Sequence, residues 1–472
     1  MMARARCIDL NTDCGEYCRI SRKVEGRDQF QKVSRAMTAG GYRLSVNRFP
    51  GVRHQHVLLT SGTIFGHSIN LSFCTPVTAL PMSSSTPFRI IIVGGGIAGL
   101  AAAIALRKDN RQITILEQSR LSAEIGATIS LQPNATRILE RSWGLTDLLD
   151  GSNGMVDHGF RIYSTDGEMV NEIPLRSKTQ YGADRIMWHR EDLHAYLKKT
   201  ATGIERDGQP AILRTSARVS RCDCEEGKVT LENGERLEAD LVIGADGIHS
   251  TLRTSVLGQA AHPKPTGSSA YRLMLPTAIL SERAPQFSAN INPEEPYTSM
   301  IMAHSCRLIM GPARGGSLYS IVGLVPDEQM NENSDEAQSW VTKGHPEKML
   351  ETFKEFPSWT KDALRNAESI GLWQLHDLDP LDKWHSGRAI LIGDAAHAML
   401  PTQGQGASQT IEDAEALGTL FGHIIDRPSK DEVSSILEDV FKSRHERASL
   451  IQRFSREAAK PATERDSNVI KM

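Results

Sequence analysis

From residue 88 onward the chain alternates short runs of β-branched residues with stretches of helical spacing. Phe88 to Val93 is an apolar run of strand length; Gly94-Gly95-Gly96-Ile97-Ala98-Gly99 follows it directly, and the pattern Leu100 to Leu106 predicts a helix. Gln112 to Leu116 predicts a second strand. Two later runs, Asp240 to Gly244 and Arg388 to Ile392, read as buried strands that each end in a glycine and aspartate turn and then open a helix, the first of them capped by Ser250. Between those two runs the period changes. Ser269 to Met274, Tyr297 to Ala303, Cys306 to Met310 and Leu318 to Val325 predict strands around the turn Arg314-Gly315-Gly316, hence an antiparallel sheet. Asp431 to Ala459 has helical spacing with Ile436, Leu437, Val440 and Phe441 on one side, so it is expected to pack onto the body.

Residues 1 to 81 show no sustained period. They hold 11 Lys/Arg against 5 Asp/Glu, and four of the seven cysteines of the chain, Cys7, Cys14, Cys18 and Cys74, fall in them. Asp9, Asp13, Glu16 and Glu25 argue against an organelle presequence, and His67, Asn70 and many Ser/Thr residues argue against a membrane anchor over Val57 to Leu80. The segment reads as a poorly structured extension, and Met82-Ser83-Ser84-Ser85-Thr86-Pro87 as a natural start that would make the preceding residues an artefact of start-site assignment. Over the whole chain of 472 residues, 54 Lys+Arg face 57 Asp+Glu, which gives no electrostatic reason to expect nucleic acid or an anionic membrane. The cysteines form neither a regular disulfide framework nor a zinc-type cluster, so a reducing, cytoplasmic setting is expected, with no metal site. The pattern establishes no oligomeric state.

The first strand, turn and helix form a GxGxxG unit. Gly94 permits the turn, Gly96 admits a pyrophosphate against the backbone, and Gly99 lets the helix approach the strand, while the helix N-terminus presents free N–H groups. Glu117 ends the second strand 18 residues after Gly99, near the distance of a ribose-binding acid. An acid there repels a 2′-phosphate, so the tightly held nucleotide is expected to be FAD or NAD.

With Asp246-Gly247, with Gly393-Asp394 and with Pro401-Thr402-Gln403-Gly404-Gln405-Gly406 leading into a helix at Ala407, the chain resembles the class A flavin-dependent monooxygenases, the para-hydroxybenzoate and salicylate hydroxylases, over residues 88 to 425. The resemblance implies an α/β fold: a Rossmann-like FAD-binding domain, a mixed or antiparallel sheet as substrate domain, and a C-terminal helix. It implies that Gly94, Gly96, Gly99 and Glu117 hold the ADP half of FAD, that Asp246 and Gly247 lie near the pyrophosphate, and that Asp394 bonds the ribityl chain. Pro401, Gly404, Gly406 and Ala407 would lie against the flavin ring, and Arg190 in Trp188-His189-Arg190-Glu191-Asp192-Leu193 would reach the FAD. Gly126 to Ala135 is similar to the segment after the second strand in salicylate-hydroxylase-like members. Many relatives have Asn where Ser408 stands, and the chain ends earlier than the family pattern suggests.

The implied reaction uses NAD(P)H and O2 to hydroxylate a small aromatic acid, phenol or related ring through a flavin C4a-hydroperoxide. A non-oxygenating flavin oxidoreductase of the same fold, and a flavin-binding protein without turnover, are the alternatives. No second Rossmann fingerprint is present for the nicotinamide cofactor. Arg272, His304 and Tyr271 are the candidate catalytic residues, with Arg307 and Tyr319 beside them: an arginine could grip an aryl carboxylate, a tyrosine could orient a phenol, and His304 could serve as a base. Strand alternation sends about half of such residues to the wrong face. The expected organisation is the N-terminal extension 1–81, FAD-binding part 82–255, substrate sheet 256–370, second FAD-binding part 371–425 and C-terminal helical segment 426–472.

Overall fold

The computed structural model describes residues 62–64, 67–69, 86–121, 127–330, 341–460 and 464. Two compact units divide at Met82/Ser83. In the first, Gly62–Ile64 pairs antiparallel with His67–Ile69; the poorly structured reading of residues 1–81 otherwise lies outside the described residues, as does Gly126.

The second unit contains an α/β sheet in the order Ile212–Arg214, Arg111–Leu116, Phe88–Val93, Leu241–Gly244, Ala389–Leu391 and His385–Ser386. All neighbours are parallel except the final pair. Fully buried runs of Ile, Leu and Val suit a parallel sheet covered on both faces, and Ile90, Ile92, Leu241, Ile243, Ile390 and Leu391 are all buried. Two helices, Ile97–Leu106 and Gly406–Leu420, pack closely because small residues line their contact: a Cβ on Gly418 would lie 2.8 Å from the carbonyl oxygen of Ala105.

A second sheet has eight strands, in the order Val341–Lys343, Gly371–Asp377, Lys264–Pro276, Leu318–Pro326, Arg307–Ala313, Tyr297–Met302, Gly159–Tyr163 and Met169–Pro174. The strands expected around the Arg314 turn are all present. The sheet also extends past the 256–370 range: Gly159–Tyr163 joins Tyr297–Met302 in parallel, Met169–Pro174 follows, and Gly371–Asp377 pairs with Lys264–Pro276. Its back face carries a separate core of Tyr271, Leu273, Leu308, Tyr319 and Ile321 under Phe287, Met349, Phe353 and Trp359 from short helices. The helix Lys430–Ala459 begins at a Ser429 cap and buries Val433, Leu437 and Val440. Among the described residues no helix is long and apolar enough to cross a membrane.

Candidate functional site

Three turns leave adjacent parallel strands at the same level. Val93 is in register with Gly244, and Gly244 with Leu391, so Gly94, the Ala245 to Gly247 turn and the Gly393-Asp394 turn emerge side by side at the carboxyl ends of the strands, where open α/β sheets bind ligands. Gly94 has φ +107°, and a Cβ on it would lie 2.2 Å from the carbonyl oxygen of Ala245. A Cβ on Gly99 would lie 1.9 Å from the carbonyl oxygen of Gly94, so the helix seats directly on the turn. Gly96 and Gly247 have no atom within 4 Å on the Cβ side, leaving the backbone open to a ligand. A Cβ on Gly393 would lie 3.1 Å from Cβ of Ala98, which brings the third turn against the first helix.

The carboxylates at these turns are held differently. Glu117 is buried; its Oε2 accepts from the Gly95 N–H (2.7 Å) and its Oε1 from the Ser119 N–H (2.7 Å), which fixes the group with lone pairs to spare. Asp246 accepts from Ser250 Oγ (2.6 Å), Thr251 N–H (2.7 Å) and Leu252 N–H (3.1 Å), so it closes the start of the helix Thr251–Leu257, and burial pushes its pKa up. Asp394 is exposed between the buried residues Gly393 and Ala395 and opens the helix Asp394–His397.

Beside it the chain makes the turn Pro401–Gln403, and Gly404 follows at φ +59° before the helix Gly406–Leu420, whose N-terminus has no side-chain cap. Ala407 packs against the main core. Gly404 rests over the strand Thr128–Leu131: a Cβ on it would lie 3.4 Å from Gln132 Nε2 and 3.6 Å from Ser130 Oγ. Ser408, the departure from the family pattern, is buried and its Oγ accepts from the Gln132 N–H (3.0 Å), tying that helix to the same strand. Along the outer side of Gln405 runs an open groove of about 240 Å³ lined by Gln132, Asn134, Arg137, Tyr181 and Arg447.

Several supports were invisible in the sequence. His194 Nε2 donates to the Gly95 carbonyl (2.7 Å), bracing the first turn from the helix Arg190–Thr202. Asp413 accepts from the Gly393 N–H (3.0 Å), from His397 Nε2 (2.6 Å) and from Arg444 Nε (3.0 Å), so His397 is a structural hydrogen-bonding histidine. Burial raises the pKa of Asp413, but the charges of His397 and Arg444 prevail and hold it below the usual carboxylate range. Arg314, in the turn between two sheet strands, donates to Asp192 (2.7 and 2.9 Å) and Glu191 (3.1 Å) and lies 3.2 Å from His189 Nδ1. His189, Glu191 and Asp192 are also the described group whose atoms lie within metal-ligand range of one another, and the guanidinium already bonds there. Arg190 is exposed at the start of its helix, with its N–H donating to the Ala127 carbonyl (2.8 Å).

The second sheet presents its other face to this cleft. Thr128 Oγ1 donates to Ser320 Oγ (3.3 Å), and Thr298 Oγ1 lies 3.4 Å from Met187 Sδ. Arg272 shares that face, in register with Val322, Ile309 and Met300 across four strands. These four side chains are half-buried, whereas their neighbours Tyr271, Ile321 and Leu308 are fully buried on the other face. Arg272 lies over the Trp373 ring (4.7 Å to its centroid), and its guanidinium has no hydrogen-bond acceptor among the described residues. Burial, and then the nearby Arg190 charge, lower its pKa.

The other candidates do not join it. Tyr271 is wholly buried on the back face against Phe353 (centroids 5.9 Å apart), because adjacent strand residues point opposite ways. Tyr319 is buried there too, against Phe287. His304 is exposed in the turn Ala303 to Cys306, so the expected base stands on the surface. Arg307 faces the cleft side, but its guanidinium is bonded to the carbonyls of Ala458, Ala459 and Lys460.

Residues 88–455 match the family model described as an FAD binding domain. The chain belongs to the FAD-dependent monooxygenase family. It is 33% identical over 349 residues to hispidin-3-hydroxylase of Neonothopanus nambi, covering 72% of this chain and 81% of the relative. It is 31% identical to 6-hydroxynicotinate 3-monooxygenase of Bordetella bronchiseptica, covering 78% and 90%. Among solved structures, a salicylate hydroxylase substrate complex superposes with TM-score 0.66 at 30% identity, covering 82% of this chain and 92% of that one. This member of the family is thus a flavoprotein monooxygenase with FAD as its cofactor and the aromatic-ring hydroxylases as its relatives. The residues present suit that cofactor: the open backbone at Gly96 and Gly247, the fixed acid at Glu117, the exposed carboxylate of Asp394 and the uncapped helix at Gly406.

Proposed function

We propose that this monooxygenase uses NAD(P)H and O2 to hydroxylate an aromatic ring that carries an anionic group, a carboxylate or an ionised phenol or enol. When bound, FAD supplies the chemistry that takes electrons from the nicotinamide and activates dioxygen. The chain supplies position and dryness. Gly94, Gly96, Gly99 and Glu117 would hold the ADP half, Asp246 and Gly247 the region of the pyrophosphate, Asp394 the ribityl chain with Arg190 near it, and Pro401, Gly404, Gly406 and Ala407 the ring.

The observation that carries the substrate reading is Arg272, a half-buried cation without an acceptor among the described residues, on the sheet face opposite the flavin turns. A guanidinium so placed would pair bidentately with a carboxylate, and Met300, Ile309 and Val322 would cover the apolar part of the ring and exclude water from the reacting region. No side chain in this row can accept a proton, so a phenol would enter already ionised or be deprotonated from elsewhere.

The test is a panel of hydroxybenzoates, neutral phenols and indoles with the FAD-loaded full chain, scoring nicotinamide oxidation, peroxide and incorporation of labelled oxygen. Incorporation of one oxygen into the acids with little into the neutral rings is expected. Flavin reduction without incorporation into any ring points instead to a non-oxygenating oxidoreductase.

A further inference from the structure

Arg307 stands on the cleft face of the sheet, in register with Leu324 on one side and Met302 on the other. Its Nη1 donates to the Ala458 carbonyl (2.8 Å) and its Nη2 to those of Ala459 and Lys460 (3.2 Å each). Ala458 and Ala459 end the helix Lys430–Ala459 and Lys460 is its C-cap, so the guanidinium sits at the negative end of the helix dipole. The same turns are held elsewhere too. Thr402 Oγ1, in the turn expected to lie against the flavin, donates to the Ser455 carbonyl (2.5 Å). Gln452 Nε2 donates to the carbonyls of Leu378 (2.9 Å) and Ala398 (3.1 Å), and Arg456 bonds Asp377 and the Leu378 carbonyl. The helix end is therefore bonded at once to the substrate-side sheet and to the flavin turn.

Its place over the sheet sets a length. The Arg307 row is two residues along the strands from the row of Arg272, Val322, Ile309 and Met300, and the Ser320 row, which meets Thr128, is two residues to the other side. At the rise of an extended strand each step is about 7 Å, so the floor between Thr128 and the helix end is about 13 Å long.

We propose that Arg307 is a positioning residue: by capping the C-terminal helix over the cleft it closes the outer end, limits the substrate to one substituted ring or two linked rings, and keeps water from the reacting region. The inference rests on the reading of this face as the substrate site. It predicts that the cap acts on coupling and substrate length, and that it does so without touching the substrate.

The test compares Arg307→Gln, Arg307→Lys and Thr402→Val with the wild-type holoenzyme. Deuterium exchange over residues 448–460 reads the cap; the peroxide released per nicotinamide oxidised, and kcat and KM over hydroxybenzoates bearing alkyl chains from methyl to hexyl, read the cleft. Arg307→Gln is expected to raise exchange several-fold, at least double the peroxide fraction, and lower KM for the longer chains with little change in kcat for the shortest. Arg307→Lys recovers part of each effect, and Thr402→Val moves them in the same direction as Arg307→Gln. Faster exchange with unchanged peroxide fraction and unchanged chain-length preference overturns the proposal, leaving a structural cap; unchanged exchange overturns it as well. If the wild-type protein oxygenates no ring at all, the reading of the site has failed separately, and dissociation constants for the same series from flavin fluorescence decide whether the helix end limits length.

Discussion

Gly94 and Ala245 are 151 residues apart in the sequence, yet a Cβ on the first would lie 2.2 Å from the carbonyl oxygen of the second. That contact locks the first glycine turn to the Asp246-Gly247 turn, and the φ of +107° at Gly94 is one that other residues rarely adopt. Gly94→Ala therefore meets both a clash and a strained backbone, each worth about 1–3 kcal/mol. The expected outcome is protein with little bound flavin and a clearly lowered melting temperature, measured by the ratio of flavin to protein absorbance and by thermal unfolding. A variant that retains full flavin occupancy would contradict the convergence of the turns.

Asp394 offers the opposite test, because its carboxylate is exposed. Asp394→Asn is expected to change stability by less than about 0.5 kcal/mol, as surface substitutions do. If Asp394 accepts from the flavin chain as proposed, losing that hydrogen bond to a charged acceptor would be worth about 1.5–3 kcal/mol, or about a 10- to 100-fold weaker FAD. Titration of apoprotein with FAD, followed by fluorescence, separates the two effects; an equal loss of folding stability would make Asp394 a structural residue.

The part of the site that was legible in the sequence is the part built by local backbone chemistry. Gly94, Gly96, Asp246 and Asp394 each follow an apolar strand run directly, so turn and strand end could be read together, and parallel pairing then placed them side by side. What stayed hidden depends on which distant elements meet. Alternation says that Tyr271 and Arg272 face opposite ways but not which one faces the cleft, and only the helices over Phe353 decide it. The strand Met169–Pro174 is exposed along its whole length, so no buried face marked it as an edge of the second sheet. Arg307 looked like a carboxylate grip because nothing local shows that its partners lie 151 to 153 residues away. Nor does anything local show that Glu191 and Asp192 are bonded by Arg314, 123 and 122 residues away.

The proposed pairing of Arg272 with a substrate anion is tested by removing its charge. Replacing it with Met keeps much of the contact over Trp373 and removes the cation, so KM for an aromatic acid is expected to rise about 10- to 100-fold, the worth of one hydrogen bond to a charged group. Arg272→Lys should fall between, because an ammonium cannot reproduce the planar fork. Steady-state kinetics with matched acids and neutral amides of the same ring check it. Equal losses for acid and amide would show that the residue supports the sheet and does not recognise charge.

The last test concerns pH and the buried cluster that holds the Gly393 turn. Asp413 is fully buried, and although burial alone would raise its pKa, His397, Arg444 and the Gly393 N–H hold it below the usual range. A carboxylate depressed in the folded state contributes stability that is present above its unfolded pKa, about 3.9, and is lost as pH falls through the lower folded value. Asp413→Asn removes that contribution, takes from His397 its buried carboxylate partner and leaves Arg444 with Glu412 alone as an ion-pair partner among the described residues. At pH 7 the cost is expected to be about 3–5 kcal/mol, the usual penalty for breaking a buried ion pair from one side. Below about pH 4 the wild-type protein starts to lose the same contribution, so the two stabilities should converge. Urea unfolding at pH 7, 5, 4 and 3 measures the gap; a gap that stays constant across that range would mean that Asp413 acts through packing and neutral hydrogen bonds alone.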